Sequence, residues 1–192
     1  MKKKVIIAGL AVLGMITVVL LFCVVLNDKR VVKVYMKGES GKIGDTVNVE
    51  LKVSDIPEEY QASSFVIAFD NQKLKFKGIL QGNVSSIDKN SGEKRFPEWQ
   101  YDVESANASG TVSTMYLDMT AGEQPLSREG FRKGSQDVLF RMEFEILPTC
   151  ANRDNLELLI SQATFASVDE ELSLALQKKN ILAESYKITV IE

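Results

Sequence analysis

Two neighbouring stretches decide the fold: residues 117–130, LDMTAGEQPLSREG, and residues 138–146, VLFRMEFEI. The first stretch is rich in Gly, Pro and Thr, which is typical of an exposed loop. In the second stretch every other residue is apolar, namely Val138, Phe140, Met142, Phe144 and Ile146. This period of two predicts a β-strand with one buried face and one face in water.

The same period of two recurs from residue 31 to the end of the chain. About nine strands are predicted, over residues 31–37, 46–53, 64–69, 74–80, 98–103, 111–119, 138–146, 156–165 and 185–191. Residues 170–178 are compatible with a turn of helix, a strand or a loop. Many short strands separated by Gly and Asn turns predict an all-β fold, a jelly-roll-like antiparallel β-sandwich over residues 31–192.

A second feature lies at the N-terminus. Residues 2–4 are all lysine, and an apolar run of 22 residues follows over residues 5–26. At about 1.5 Å per residue, such a helix spans roughly 33 Å, enough to cross a hydrocarbon core of about 30 Å. We therefore expect an uncleaved transmembrane signal anchor at 5–26, a cytoplasmic basic tail at 1–4 and a short linker at 27–30.

Two alternatives remain open for this segment. A cleaved signal peptide normally has a shorter apolar core and a small-residue cleavage site, and no such site follows the run. A lipoprotein would use Cys23, but the bulky Phe22 precedes it. The lysines before the run favour a cytoplasmic N-terminus, whereas Lys29, Arg30 and Lys33 weaken that bias.

Composition limits the function classes. The chain contains no histidine, so it lacks the commonest general base and the commonest transition-metal ligand. Cys23 and Cys150 lie in different segments, and no disulfide is expected. With a net charge of −3 and no basic stripe, nothing indicates nucleic-acid binding. We predict no catalytic residue, cofactor or metal, and a hydrolase using paired carboxylates is the least supported alternative.

Six motifs, taken in their order along the chain, resemble the cohesin domain of bacterial cellulosomes. They are GDTV at 44–47, SFVIAFDNQKLKF at 64–76, GTV at 110–112, LDMTAGEQPLSREG at 117–130, ATFA at 163–166 and YKITVI at 186–191. The resemblance covers most of residues 31–192. It implies a β-sandwich that is not an enzyme and that docks a dockerin-bearing protein.

Further expectations follow from the same resemblance. The calcium of such a complex would be carried by the dockerin, not by this chain. A single-pass anchor would place the C-terminal domain outside a bacterial cell membrane. There it would hold a cargo protein, with polysaccharide degradation as the expected context.

In cohesins the dockerin contacts one flat face of the sandwich. Alternation around Phe65, Ile67 and Phe69 predicts that the outward residues of the first contacting strand are Ala62, Ser64, Val66 and Ala68. On the second strand, with Met115 and Leu117 inward, the expected outward residues are Val112, Thr114 and Tyr116. These seven residues form the predicted partner-binding site.

One departure from the family pattern concerns specificity. Many cohesins carry an outward Asp, shortly preceded by Asn, on the first of these strands. This chain has Ser64 and Ala62 in those places, so a charged acceptor for dockerin Ser and Thr side chains is absent. The partner is then either a divergent dockerin or another protein.

Alternative functions remain open. A carbohydrate-binding sandwich would use the aromatic residues Phe96, Trp99, Tyr101 and Tyr116, although a core role for the cluster of Phe96, Trp99 and Tyr101 is favoured. A structural module of an envelope or secretion assembly would use an exposed sheet edge for strand addition. Asp70 and Asp118 are interpreted as turn and loop acceptors rather than as a catalytic or calcium-binding pair.

Overall fold

A computed structural model of the protein describes residues 31–54, 56–120, 122–127, 130 and 137–192. The predicted anchor at 5–26, the basic tail at 1–4 and the linker at 27–30 lie outside these residues. Within the described ranges, none of the helices combines the length and apolar character needed to cross a membrane.

Thirteen strands and one α-helix are formed by the described residues. The strands are β1 (Val32–Gly38), β2 (Thr46–Val53), β3 (Ala62–Ala68), β4 (Leu74–Gln81), β5 (Ser86–Ile87), β6 (Lys94–Arg95), β7 (Gln100–Tyr101), β8 (Thr111–Leu117), β9 (Val138–Ile146), β10 (Asn155–Ala166), β11 (Leu174–Ala175), β12 (Ile181–Glu184) and β13 (Tyr186–Thr189). Helix α1 is Val103–Ser109, and two short 3₁₀ helices are Glu170–Leu172 and Leu176–Lys178.

The long strands form two sheets. The first sheet has the order β12-β1-β2-β9-β4. The second has the order β11-β10-β3-β8-β7, and β13 also pairs with β10. Strands β5 and β6 form a separate hairpin. The predicted β-sandwich is therefore confirmed for the described part of the chain.

The core lies between the two sheets because each long strand alternates between buried and outward residues. In β9 the five apolar residues identified from the sequence are all buried. Phe65 of β3 packs edge-on against Phe140 of β9 and Phe165 of β10, with ring centroids 5.8 and 5.7 Å apart. The contact with Phe140 joins the inner faces of the two sheets, whereas the contact with Phe165 lies within the second sheet.

Three features differ from the prediction. The number of described strands with four residues or more is nine, which matches the predicted number. One of these nine, β12, is not among the predicted strands. It pairs with β1 in parallel, so the sandwich is not purely antiparallel. The strand predicted at 98–103 is reduced to β7, because Asp102 caps α1 through a 2.8 Å bond from the Ser105 amide to its side chain.

Helix α1 closes one exposed sheet edge. The Asn107 side chain accepts a hydrogen bond from the Phe76 amide at 2.8 Å and donates one to the Phe76 carbonyl at 2.9 Å. A side-chain amide thus replaces a neighbouring strand along part of β4, the edge strand of the first sheet. Covering an edge in this way removes a template for unwanted strand pairing.

Candidate functional site

Strand β3 runs through the middle of the second sheet and presents small side chains to the outside. Its residues alternate between buried and half-buried, with Ser63, Phe65 and Ile67 buried. The half-buried set points outward and consists of Ala62, Ser64, Val66 and Ala68. The predicted orientation of this strand is therefore confirmed, whereas its role in binding stays a prediction.

The predicted orientation of β8 is wrong. Val112, Thr114 and Tyr116 are only 0%, 4% and 6% exposed, so they point into the sandwich. Thr114 donates its hydroxyl hydrogen to the Gln100 carbonyl at 2.9 Å, and the Tyr116 ring packs 6.1 Å from Trp99. Because side chains alternate along a strand, an error of one residue in assigning the buried positions exchanges the inward and outward sets completely.

Contacts of the Tyr116 side chain keep it inside the sandwich. Its hydroxyl donates to the Gln124 carbonyl at 2.6 Å. Burial, together with the nearby Asp118 carboxylate, raises the pKa of Tyr116 above its ordinary value. The tyrosine therefore stays neutral and works as a packed, hydrogen-bonded core residue, not as a contact for a partner.

The outward residues of β8 are Ser113, Met115 and Leu117. They lie opposite Val66, Ser64 and Ala62 of β3 in the sheet register. Sequence reasoning missed them because both alternating sets of β8 contain apolar side chains. Only the small polar Ser113 indicated which set faces water.

Strand β10 extends this surface on the other side of β3. Its outward residues Leu159, Gln162, Thr164 and Ala166 lie opposite Ala68, Val66, Ser64 and Ala62. We call the resulting surface the neutral face, and it comprises Ala62, Ser64, Val66, Ala68, Ser113, Met115, Leu117, Leu159, Gln162, Thr164 and Ala166. None of these eleven residues is ionisable. Charge begins only beyond them, where Glu157 lies opposite Lys187 of β13.

The core role predicted for the aromatic cluster is correct for Trp99 and wrong for Phe96 and Tyr101, which are exposed. Trp99 is buried, and its ring lies 4.7 Å from Phe140 and 5.8 Å from Phe65. Of the four aromatic residues considered for sugar stacking, only Phe96 and Tyr101 are substantially exposed. Tyr101 also packs against Phe76 at 5.9 Å. A continuous stacking platform therefore does not form on these four side chains.

The two aspartates have the structural roles that were favoured. Asp70 accepts from the Gln72 amide at 3.0 Å in a turn. Asp118 accepts from the amides of Thr120, Gly122 and Gln124 at 2.9, 3.1 and 3.2 Å. Burial pushes the pKa of Asp118 upward, but hydrogen bonds from the Thr120 hydroxyl and from these amides outweigh burial and hold it below its ordinary value. Within the described ranges, no three His, Cys, Asp or Glu side chains form a group that would hold a metal ion.

The fold and the neutral face define the class: a two-sheet β-sandwich module with one exposed sheet face that is free of charge. The family model of the cohesin domain matches residues 32–178, so the chain belongs to the cohesin domain family. The resemblance seen in the sequence motifs is thereby confirmed.

Solved structures show the same fold at low sequence identity. The third cohesin of ScaC from Acetivibrio cellulolyticus, solved in complex with the ScaB dockerin, has a TM-score of 0.64 and 20% identity, covering 84% of this chain and 99% of that one. The OlpA cohesin of a Clostridium thermocellum complex with dockerin Doc918 has a TM-score of 0.61 and 16% identity, and the match covers 84% of this chain and 99% of that one. A non-cellulosomal cohesin from the archaeon Archaeoglobus fulgidus has a TM-score of 0.57 and 12% identity, and the match covers 84% of this chain and 92% of that one. Among curated proteins no significant match is found.

Proposed function

We propose that this protein is a binding module without catalytic activity, and that its neutral face docks a dockerin-bearing protein. Membership in the cohesin family supports the proposal. Two of the similar structures, from Acetivibrio cellulolyticus and Clostridium thermocellum, are complexes of a cohesin with a dockerin.

The observation that carries the proposal is the continuous lack of charge across β3, β8 and the part of β10 that pairs with β3. Charged side chains are depleted at the centres of protein interfaces because they lose hydration when a partner covers them. Here Met115, Leu117 and Leu159 are all at least two-fifths exposed and surround the small residues of β3. Exposed apolar area next to a flat strip of small side chains suits a closely packed protein contact.

The chemistry of the contact follows from these residues. Ser64 and Thr164 offer hydroxyl groups and lie opposite one another in the register. The other outward residues of β3 have no polar side-chain atom, so the strand makes few polar contacts; they are Ala62, Val66 and Ala68. Burial of apolar area has to supply most of the affinity. Because no ionised group lies on the face, we expect binding to depend only weakly on salt.

The proposal also includes an anchor and a context. Residues 5–26 would hold the module at a bacterial membrane, with the sandwich outside the cell, and the cargo would take part in polysaccharide degradation. The length and apolar character of that run support the anchor. Protease added to intact cells should remove the sandwich domain while the N-terminal fragment stays with the membrane after alkaline extraction. Release of the intact domain into the medium would contradict the anchor.

The binding proposal is tested with every dockerin module encoded by the genome that encodes this chain. Each module is produced as a separate fusion and titrated against the full chain in detergent, first with calcium and then with chelator. We expect at least one module to bind with a micromolar or smaller Kd and to dissociate in chelator, because dockerins carry the calcium. If none binds, and the chain is instead retained on insoluble polysaccharide, the carbohydrate-binding alternative replaces the proposal.

A further inference from the structure

A cleft of about 710 Å³ lies at the open edge of the sandwich, next to the neutral face. Its walls come from the edge strand β4, from the segment leading into β7, from the end of β8 and from the β5–β6 hairpin. The residues that line the cleft include Leu80, Phe96, Trp99, Leu117, Asp118 and Met119. None of the core packing described above fills this space.

The rim of the cleft is mixed, and large exposed hydrophobic side chains stand there among polar ones. Leu80, Phe96 and Met119 are 45%, 49% and 79% exposed, although each is a large hydrophobic residue. Single exposed apolar residues need no explanation, but three of them around one concave site form an apolar patch. The charged lining residues are Arg95, Glu98 and Asp118, so the cleft has one more acidic than basic residue.

The floor of the cleft is already formed. Trp99 is held against Phe140 of β9 and Tyr116 of β8. Beside it, the Asp118 carboxylate accepts hydrogen bonds from the amides of Thr120, Gly122 and Gln124 and ties these residues to the end of β8. A cleft with a fixed floor and wall needs little ordering when a side chain enters it, which favours binding.

The cleft and the neutral face share a residue. Leu117 points outward opposite Ala62 of β3, and it also lines the cleft. A partner that covers the first residues of β3 and the last residues of β8 therefore reaches one wall of the cleft at Leu117.

We propose that the cleft is an anchor site for the partner that covers the neutral face, and that it receives one bulky apolar side chain from the partner, such as Leu, Met or Phe. This inference rests on the proposed function and adds a second contact region to it. The anchor would lie between Phe96 and Leu80, with Met119 folding over it. A central apolar anchor in a preformed pocket is the usual source of most of the binding energy in a protein interface.

The test uses the dockerin module that binds most tightly in the panel and the full chain in detergent. The photoreactive residue 4-benzoylphenylalanine is placed at Phe96 in the cleft, at Met115 on the neutral face, or at Tyr35 on β1 in the first sheet. We expect crosslinks to the dockerin from positions 96 and 115 and none from position 35. The peptide crosslinked at position 96 should contain the apolar anchor, which mass spectrometry identifies.

Affinity measurements give an independent check. Phe96→Ala should weaken binding about tenfold, the usual effect of truncating an anchor contact. Tyr35→Ala, also an aromatic truncation on an outer surface, should leave Kd unchanged. Both variants should keep the melting temperature of the unchanged protein, because neither ring belongs to the buried core.

The outcomes separate the two proposals. If position 115 crosslinks while position 96 does not, and Phe96→Ala binds normally, the cleft proposal is wrong and the docking face stands. If no dockerin binds, or if only position 35 crosslinks, both proposals are wrong. A crosslink from position 96 to a charged, solvent-exposed segment of the dockerin would also overturn the anchor.

Discussion

The two outer faces of the sandwich differ most in charge. The first sheet carries a charged face, which comprises Glu50, Lys75, Lys77, Arg141, Glu143 and Glu145 of β2, β4 and β9. Ion pairs join its strands, with Arg141 Nε 3.1 Å from Glu50 and Lys77 Nζ 3.1 Å from Glu145. The neutral face on the second sheet contains no ionisable group.

Because of this difference, the two outer faces of one fold differ in how easily a partner can cover them. Ionised side chains keep the first sheet hydrated, and they make burial of that sheet by a partner unfavourable. The second sheet loses little hydration when it is covered. The same alternation of inward and outward residues therefore produces one face that resists association and one that permits it.

The largest expected effect comes from neighbouring residues of β8 that point to opposite sides. Thr114→Arg places a charge in the core and should prevent cooperative folding, a loss of more than about 3 kcal/mol. Ser113→Arg places the same charge on the neutral face and should fold normally but fail to bind. Circular dichroism melting distinguishes them. If Ser113→Arg were instead the less stable variant, the inward and outward residues of β8 would be the reverse of those described.

A smaller effect is expected when charge is placed on each face in turn. Ser64→Arg, in the middle of the neutral face, should weaken dockerin binding about 100-fold, because the partner would have to bury an unpaired guanidinium. Thr46→Arg is the matched control, since Thr46 is exposed on β2 and lies opposite Glu145. Titration calorimetry measures both. Equal loss from the two variants would show that the partner does not prefer the neutral face.

The charged face should respond to a different change. Lys52 is only 3% exposed, and the Glu50 carboxylate lies 3.6 Å from its ammonium. Glu50→Gln removes a counter-charge from a buried lysine and should lower the free energy of unfolding by about 1–2 kcal/mol. Glu184→Gln, which breaks the exposed pair with Lys33, should lower it less, because solvent screens an exposed pair. Urea unfolding measures both, and a reversed order would contradict this account.

The smallest effect concerns acid. Hydrogen bonds from the Ser91 amide, the Gln124 side chain and the Asn90 amide lower the pKa of Asp88 to about 2. A carboxyl group with a lowered folded-state pKa stabilises the protein above its unfolded pKa of about 4, and this contribution is lost as the pH falls towards 2. Asp88→Asn should therefore be less stable at pH 7 and should lose stability less steeply between pH 4 and pH 2. Urea unfolding across that range measures the slopes, and parallel curves would exclude this role.

Much of the sandwich was predictable because several strands have one clearly apolar and one clearly polar set of residues. In β2 and β9 the two sets differ so strongly that only one orientation buries apolar area. The outward set of β3 was also predicted correctly. For these strands local pattern and tertiary packing agree.

The failures have a different cause. In β8 the set with Val112 and Tyr116 and the set with Met115 and Leu117 are both apolar enough to be buried. Contacts far apart in sequence decide between them, above all those that bring Trp99 against Phe140 and Tyr116. Strand β12 was missed because its four residues pair in parallel with β1, at the other end of the domain sequence, and a strand this short carries little pattern.

By itself, the sequence determined the all-β class, the cohesin resemblance and the neutral character of β3, because residue type and a period of two depend only on local order along the chain. The tertiary structure alone decided the phase of β8, the closing of the β4 edge by Asn107 and the cleft beside Leu117. Each of these depends on which distant residues compete for the same space in the core, and short-range alternation contains no information about that competition.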